Sequence, residues 1–127
     1  MTETLTPLER AIADAREGRL PIGDLLREFA TTPVFIPTAT EVSPDGDGFA
    51  PLTLDKQGVA MVVCFTTFDR IGDARAAAPY CMQMPGGAFL QMLPRGIGMV
   101  VNPGSPVGFD MSPDGLERFL ADFGRLA

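Results

Sequence analysis

The amino-acid sequence predicts an α+β domain in which a mixed, mostly antiparallel sheet packs against amphipathic helices. Two helical segments open the chain and another closes it, while short β-type runs and brief helical stretches lie between them. The chain carries 14 glycines and 12 prolines in 127 residues, which indicates short elements joined by sharp turns. This length suits one domain, predicted over residues 1–127, that buries a core without disulfides or metal ions.

The helices are predicted from capping residues and from the spacing of apolar side chains. In "TPLERAIADAREG", Thr6 is the expected N-cap, Pro7 the first helical residue and Glu9 the partner that completes a capping box. Apolar residues in "PIGDLLREFA" recur at i, i+3, i+4 and i+7, as in an amphipathic helix. The same periodicity in "SPDGLERFLADFGRLA" predicts a closing helix.

The central strand of the predicted sheet is "VAMVVCF", residues 59–65. This run is apolar without alternation, so we expect both of its faces to be covered. Earlier β-type runs lie at 34–37 and 49–55. Pro37 and Pro51 favour edge or interrupted strands there, because proline has no N–H to donate to a ladder.

Further strands are predicted on the C-terminal side of the chain. "YCMQM" suits a short strand, and "IGMVV" and "VGFDM" flank a loop too short for a parallel crossover, which predicts an antiparallel hairpin. Inside this loop, Asn102, Pro103 and Gly104 match the first three positions of a type II β-turn. Proline presets φ at the second position, and glycine adopts the positive φ that the third position requires.

The loop "NPGSPVG" is not expected to carry catalysis or to bind a dinucleotide. A nucleophile elbow has glycine two residues before its serine, but Pro103 occupies that position before Ser105. The chain has no histidine, so no imidazole base can activate the hydroxyl. Gly96 and Gly98 precede a predicted strand, whereas a dinucleotide fingerprint follows a strand and opens a helix.

Gly86 and Gly87 precede a predicted helix, so their backbone N–H groups are a candidate anion site. A phosphate site usually adds a basic side chain, and none lies at this helix start. Helix capping is therefore the preferred interpretation.

The segment "SPDGDGF" has the Asp45 and Asp47 spacing that begins a calcium loop. Phe49 and Lys56, however, occupy the fifth and twelfth positions, where the loop needs oxygen ligands. We interpret the segment as an exposed hairpin turn between Val42 and Phe49.

Cys64 and Cys81 form no CxxC pair, and the lack of histidine removes the common zinc ligand sets. Both are expected to be reduced thiols, with Cys64 inert inside an apolar strand. We expect no metal ion and no cofactor.

The balance of 10 basic against 16 acidic residues gives a net charge of −6. Nucleic acid and anionic membrane surfaces would be repelled, so neither is an expected partner. The longest apolar run, residues 59–65, is too short to span a bilayer, and the polar N-terminus does not resemble a signal peptide. A cytoplasmic protein is the resulting expectation.

The chain resembles the SseB family of small bacterial proteins, specifically the SseB N-terminal domain. The resemblance rests on "LERAIADAREGRLPIGDLLREF", "VFIP", "VVCFTTFDRI" and "GIGMVVNPGSPVGFDMSPDGLERFL", which together cover nearly the whole sequence. It implies an α+β domain of poorly defined biochemical role, with no known cofactor and no established catalytic residues. The family is named after an association with serine sensitivity in enteric bacteria. Members also occur near secretion and toxin-immunity systems, which favours a binding role.

The leading functional prediction is a cytosolic, non-enzymatic protein-interaction or regulatory module with a protein partner, and a homodimer is left open. One alternative is a small-ligand or anion-binding domain with a cleft near Gly86, Gly87 and the 102–106 loop. Another is a thiol-dependent enzyme centred on Cys81. The residues predicted to contribute to an interaction or ligand surface are Tyr80, Met82, Gly86, Gly87, Asn102, Gly104 and Ser105, with Phe49 and Phe109 as further exposed aromatic candidates.

Overall fold

A computed structural model describes residues 5–39, 51–76, 78–93 and 96–126, and it confirms the α+β class. The helices in these ranges are α1 (Pro7–Arg16), α2 (Ile22–Thr31), α3 (Gly86–Met92) and α4 (Pro113–Leu126). The strands are β1 (Pro33–Thr38), β2 (Thr53–Lys56), β3 (Val59–Cys64), β4 (Tyr80–Pro85), β5 (Gly98–Val101) and β6 (Phe109–Met111). The segment "FDRIGDARAAAP", whose sequence suits a short helix ended by Pro79, forms a 3₁₀ helix over Phe68–Ala76 that is interrupted at Gly72 by a φ of 50°.

The strands form two sheets that are joined by isolated bridges. β1 pairs antiparallel with β4, and the second sheet has the order β2-β3-β5-β6. Only the β3–β5 pair is parallel among the described strands, so the predicted mixed, mostly antiparallel character is confirmed. Phe35 bridges to Phe65, and Thr38 bridges to Pro51, which places β1 beside the end of β3 and the start of β2.

The predicted central strand β3 lies between β2 and β5 and is covered on both faces along its second half. On one face, Val62 and Cys64 join the main core formed with α1, α2, α3 and α4. On the other face, Val63 packs with Phe65 and Ile71 in a smaller cluster beneath the 3₁₀ helix. The first residues of the strand are exposed, which leaves one end of this second face open.

The N-terminal helix begins as its sequence predicts. Thr6 is the N-cap, its hydroxyl accepts a hydrogen bond from the Glu9 N–H at 3.1 Å, and the Glu9 carboxylate accepts one from the Thr6 N–H at 2.9 Å. This reciprocal capping box satisfies N–H groups that a helix leaves unpaired at its start. Leu8 and Ile12, one turn apart, then bury completely against the core.

Two apolar residues that the helical patterns predicted to be buried are exposed, and one predicted turn lies outside the described residues. Ile22 and Met92 are exposed, although Ile22 belongs to the apolar pattern of "PIGDLLREFA" and Met92 shares the apolar face of "GGAFLQMLPRG" with Phe89 and Leu93. The proposed hairpin turn at 42–49, including Phe49, falls outside the described residues. None of the helices in the part of the chain that the structure describes has the length and apolar character needed to cross a bilayer.

Candidate functional site

The "NPGSPVG" loop is a tight turn between β5 and β6. The Ser105 N–H donates to the Asn102 carbonyl at 3.1 Å, which closes a β-turn over residues 102–105. Gly104 occupies the third position with a φ of 78°, as the predicted type II turn requires. Asn102 also has a positive φ, 50°, a conformation that asparagine tolerates better than most residues.

The Asn102 side chain is buried, with 2% of its surface exposed, and holds three chain segments together. Its Oδ1 accepts from the Thr66 N–H at 3.0 Å, and its Nδ2 donates to the Thr66 Oγ1 at 2.9 Å and to the Val107 carbonyl at 3.0 Å. Its own N–H donates to the Cys64 carbonyl at 3.0 Å. Asn102 therefore joins the turn to the end of β3.

Thr66 connects this turn to the first helix through Glu9. The Thr66 hydroxyl donates to the Glu9 Oε2 at 2.7 Å, and the Arg70 Nε donates to the same oxygen. Glu9 is only 1% exposed, although it lies in the first turn of α1. One capping residue thus anchors α1 to the segments after β3 and, through Thr66, to the 102–108 turn.

The Glu9 carboxylate stays ionised because its partners outweigh its burial. Burial alone raises the pKa of a carboxyl group. Hydrogen bonds from the Thr6 backbone, Thr66 and Arg70, together with the Arg70 charge, shift the pKa of Glu9 below its ordinary value. The ion pair is therefore part of the folded structure at neutral pH.

The backbone of the 102–108 turn is largely used within the protein. The Gly108 N–H donates to the Ser105 carbonyl at 3.2 Å, and the Val107 N–H donates to the Ser105 hydroxyl at 3.2 Å. Arg16 on α1 donates to the Ser105 and Gly108 carbonyls at 3.4 and 2.8 Å. Since Pro103 and Pro106 have no N–H, few donors in this turn remain for an anion.

Gly86 and Gly87 begin α3 and are both buried. A Cβ at Gly86 would overlap the carbonyl oxygen and the ring of Phe29, so the glycine lets α2 and the start of α3 approach closely. The Gly86 N–H already donates to the Thr32 carbonyl at 3.0 Å. Neither glycine lines the cavity beside the 102–108 turn, so the structure does not bring the two halves of the predicted cleft together.

Tyr80 and Met82 lie on β4, where Tyr80 is exposed and Met82 is half-buried. The neighbouring Cys81 is exposed, whereas Cys64 is buried in β3. Burial raises the pKa of both thiols, and the Ile36 backbone only partly offsets this at Cys81. A raised pKa lowers the thiolate fraction at neutral pH, which makes these thiols weaker nucleophiles.

A concave surface lies on the open end of the β2-β3-β5-β6 sheet, opposite the main core. We call it the sheet hollow and define it by Leu54, Lys56, Met61, Val100 and Asp110. Cavities of about 270 and 320 Å³ adjoin there, both lined by Lys56, Met61 and Asp110. Lys56 on β2 forms an ion pair with Asp110 on β6, so the charges at the hollow neutralise each other.

Of the predicted surface residues, Gly104 lines this hollow, while Asn102 and Ser105 line the neighbouring cavity of about 210 Å³. Phe109 is half-buried against the Phe29 ring, with the ring centroids 6.0 Å apart. The hollow residues on β2 and β3 were not singled out from the sequence. The feature of the sequence that could have indicated them is the two-residue spacing of Leu54 and Lys56, which places both side chains on one face of a strand.

Comparison with known proteins identifies the family of the chain. Residues 8–118 match the model of the SseB protein N-terminal domain, which covers most of the 127 residues. Neither a curated protein nor a solved structure matches the chain. The matched region runs from the start of α1 into α4 and includes the buried contacts among Glu9, Thr66 and Asn102. The chain therefore belongs to the SseB family, through its N-terminal domain.

Proposed function

We propose that this SseB-family domain is a non-enzymatic protein-interaction module that binds its partner through the sheet hollow. The observation that carries the proposal is the exposure of apolar side chains on a sheet face that the helices leave open. Leu54 is 44% exposed and Val59 is 36% exposed. Exposed apolar residues grouped on one concave surface are typical of a binding site.

The strand register explains why these side chains share one face. Leu54 pairs with Met61, and Lys56 pairs with Val59, in the antiparallel β2–β3 ladder. Val63 pairs with Val100 across the parallel β3–β5 ladder, and Val100 pairs with Asp110 on β6. Since paired residues project from the same side, this face is opposite the one that Val62 presents to the main core.

The chemistry of the hollow suits a protein surface. Its centre is apolar, and its principal charged groups, Lys56 on β2 and Asp110 on β6, pair with each other across the sheet face. Gly98 has no side chain, and a Cβ there would collide with Met61, so the Met61 thioether lies flat across β5. Met61 is buried and forms the apolar floor of the hollow, so Leu54 and Val59 supply the exposed apolar contacts for a protein partner.

The non-enzymatic part of the proposal, and a cytosolic location that we propose with it, rest on separate observations. The chain has no histidine to act as a general base, and the pKa of Cys81 is raised. Cys64 and Cys81 are free thiols, the state that a reducing compartment maintains.

A photo-crosslinking amino acid tests the proposed surface. Placed at Leu54, it is expected to give a discrete adduct with a partner protein in native lysate, and Leu54→Glu is expected to abolish capture by the module. Ile22 is the matched control, because it is also a large apolar residue, 59% exposed, but lies on α2. Equal adducts from both positions, or capture that survives Leu54→Glu, would contradict the proposal.

A small-ligand site is the second candidate, favoured by the size of the larger cavity. Its volume of about 320 Å³ falls at the lower limit for small-molecule pockets, and Lys56 and Asp110 supply polar groups beside an apolar floor. Thermal-shift screening with nucleotides, amino acids and organic anions is expected to reveal a stabilising compound if this function is correct. Stabilisation must disappear in the Lys56→Ala variant; if no compound raises the Tm, this candidate is rejected.

A further inference from the structure

In the part of the chain that the structure describes, strand β4 lies at an edge of the two-stranded β1–β4 sheet. Among the described residues, β4 pairs only with β1, and it exposes Tyr80, Cys81 and Gln83. An unpaired strand edge presents backbone N–H and C=O groups that can accept another strand. This edge is separate from the sheet hollow, so its role is independent of the proposed function.

The hydrogen-bond register identifies which β4 groups point outward. Phe35 exchanges two backbone hydrogen bonds with Phe65, each 2.8 Å long, so its N–H and C=O point away from β4. Gln83, which pairs with Phe35, therefore occupies a non-hydrogen-bonded site of the β1–β4 ladder. Its N–H and C=O, and those of Cys81 two residues earlier, point away from β1.

Prolines limit this edge at both ends. Pro79 precedes β4 and Pro85 ends it, at the positions two residues before Cys81 and two residues after Gln83. Neither has an N–H, so the outward donors of the strand are those of Cys81 and Gln83. Such an edge can accept a short strand but cannot extend into a long ladder.

We propose that two copies of the chain associate by antiparallel pairing of β4 with β4, centred on Met82. In this register, Cys81 of each copy faces Gln83 of the other, and every outward N–H and C=O of both residues is paired. A shift of two residues in either direction places a proline opposite Cys81 or Gln83 and leaves a carbonyl unpaired. The pattern is thus self-complementary, as a twofold interface requires.

Charge and side-chain chemistry also favour a second copy as the occupant. Each copy carries a net charge of −6, but "YCMQMP" has no charged residue, so pairing this strand with itself brings no like charges face to face. On one face, the exposed Tyr80 ring would lie opposite Met84 of the second copy, and sulfur–aromatic contacts of this kind are favourable. The interface is small, so the dimer is expected to be concentration-dependent.

Variants of the full chain that carry one engineered cysteine on β4, with the buried Cys64 left in place, test the register. In the Cys81→Ser background, Met82→Cys places two thiols at the centre of the pairing, about 4.5 Å apart between Cα atoms, within disulfide range. Tyr80→Cys is the matched control, because its counterpart in the second copy would lie roughly 13 Å away along the strand. We expect a disulfide-linked dimer from the first variant under mild oxidation and little from the second. Equal cross-linking of both variants, or none, would overturn the proposal.

Gln83→Pro tests the same pairing without cysteine chemistry. The substitution removes an N–H that β1 does not use, so the fold should be retained, as checked by circular dichroism and Tm. By sedimentation analysis across micromolar to millimolar concentrations, we expect the dissociation constant to rise about tenfold or more, since each copy loses a backbone hydrogen bond. Gln83→Ser and Leu54→Glu should both dimerise like the natural chain. Dimerisation unaffected by Gln83→Pro would reject this edge, whereas loss on Leu54→Glu would assign self-association to the hollow.

Discussion

Asn102→Ala is expected to lower the free energy of unfolding by about 4 kcal/mol, a large effect for one substitution. The variant loses three buried side-chain hydrogen bonds and leaves the Thr66 N–H and the Val107 carbonyl without this partner. It also places alanine at a φ of 50°, where asparagine is tolerated better. Denaturant unfolding monitored by circular dichroism measures the change.

Two comparisons separate the hydrogen bonds of Asn102 from its backbone conformation. Gln57 has a similar φ of 53° but is exposed, so Gln57→Ala should change stability by less than about 0.5 kcal/mol. Asn102→Gly removes the backbone strain and still loses the side-chain bonds, so it should remain strongly destabilised. If Asn102→Gly were as stable as the natural chain, the buried bonds would not be the reason for asparagine here.

Glu9→Gln is expected to lower the free energy of unfolding by about 3 kcal/mol, because it removes one partner of a buried ion pair. Glutamine can still accept the capping hydrogen bond from Thr6, so the helix start is retained. The interactions that the substitution weakens are the hydrogen bonds that Glu9 Oε2 accepts from Thr66 and Arg70. Asp14→Asn breaks an exposed ion pair between α1 and Arg19, which lies just beyond the end of that helix, and should change stability much less than Glu9→Gln.

The same pair predicts a dependence of stability on pH. The pKa of Glu9 in the folded protein lies below its ordinary value near 4.5, so folding favours the ionised form. The stabilisation is fully present above the unfolded-state pKa and is lost as pH falls through the folded-state pKa. Unfolding measured between neutral and acidic pH should therefore show a shallower decline in Glu9→Gln than in the natural chain. Parallel curves would show that Glu9 titrates alike in both states.

Local patterns were enough to predict the elements that carry Glu9 and Asn102. The capping box at Thr6 and the turn at Asn102 each depend on residues within a few positions, where backbone geometry and side-chain reach are set by spacing. What the patterns did not predict is that the two motifs meet at Thr66. The sequence did indicate that both residues lie near the core, since Asn102 directly follows the apolar run of β5 and Glu9 lies beside the buried Leu8. It did not identify the partner, because Glu9 and Thr66 are 57 residues apart.

The surface predictions divide in the same way. The sequence predicted Tyr80 on a strand, and Tyr80 is exposed there. The sequence did not predict that Gly86 is buried against the Phe29 ring, because this contact joins two separate helices. The hollow over Leu54 and Met61 depends on strand register and on which sheet face the helices cover. Neither is readable from one segment alone, because both depend on pairing between distant parts of the chain.

By itself, the sequence determined the α+β class, the capped first helix, the "NPG" turn and membership of the SseB family, because each is encoded in contiguous residues or in their order. Only the tertiary structure decided that Glu9 and Asn102 belong to one buried network and that, among the described residues, the sheet hollow is exposed and β4 pairs on one side only. Those properties arise when non-local pairing brings separate segments together, and burial then sets which polar groups need partners and which apolar groups remain exposed.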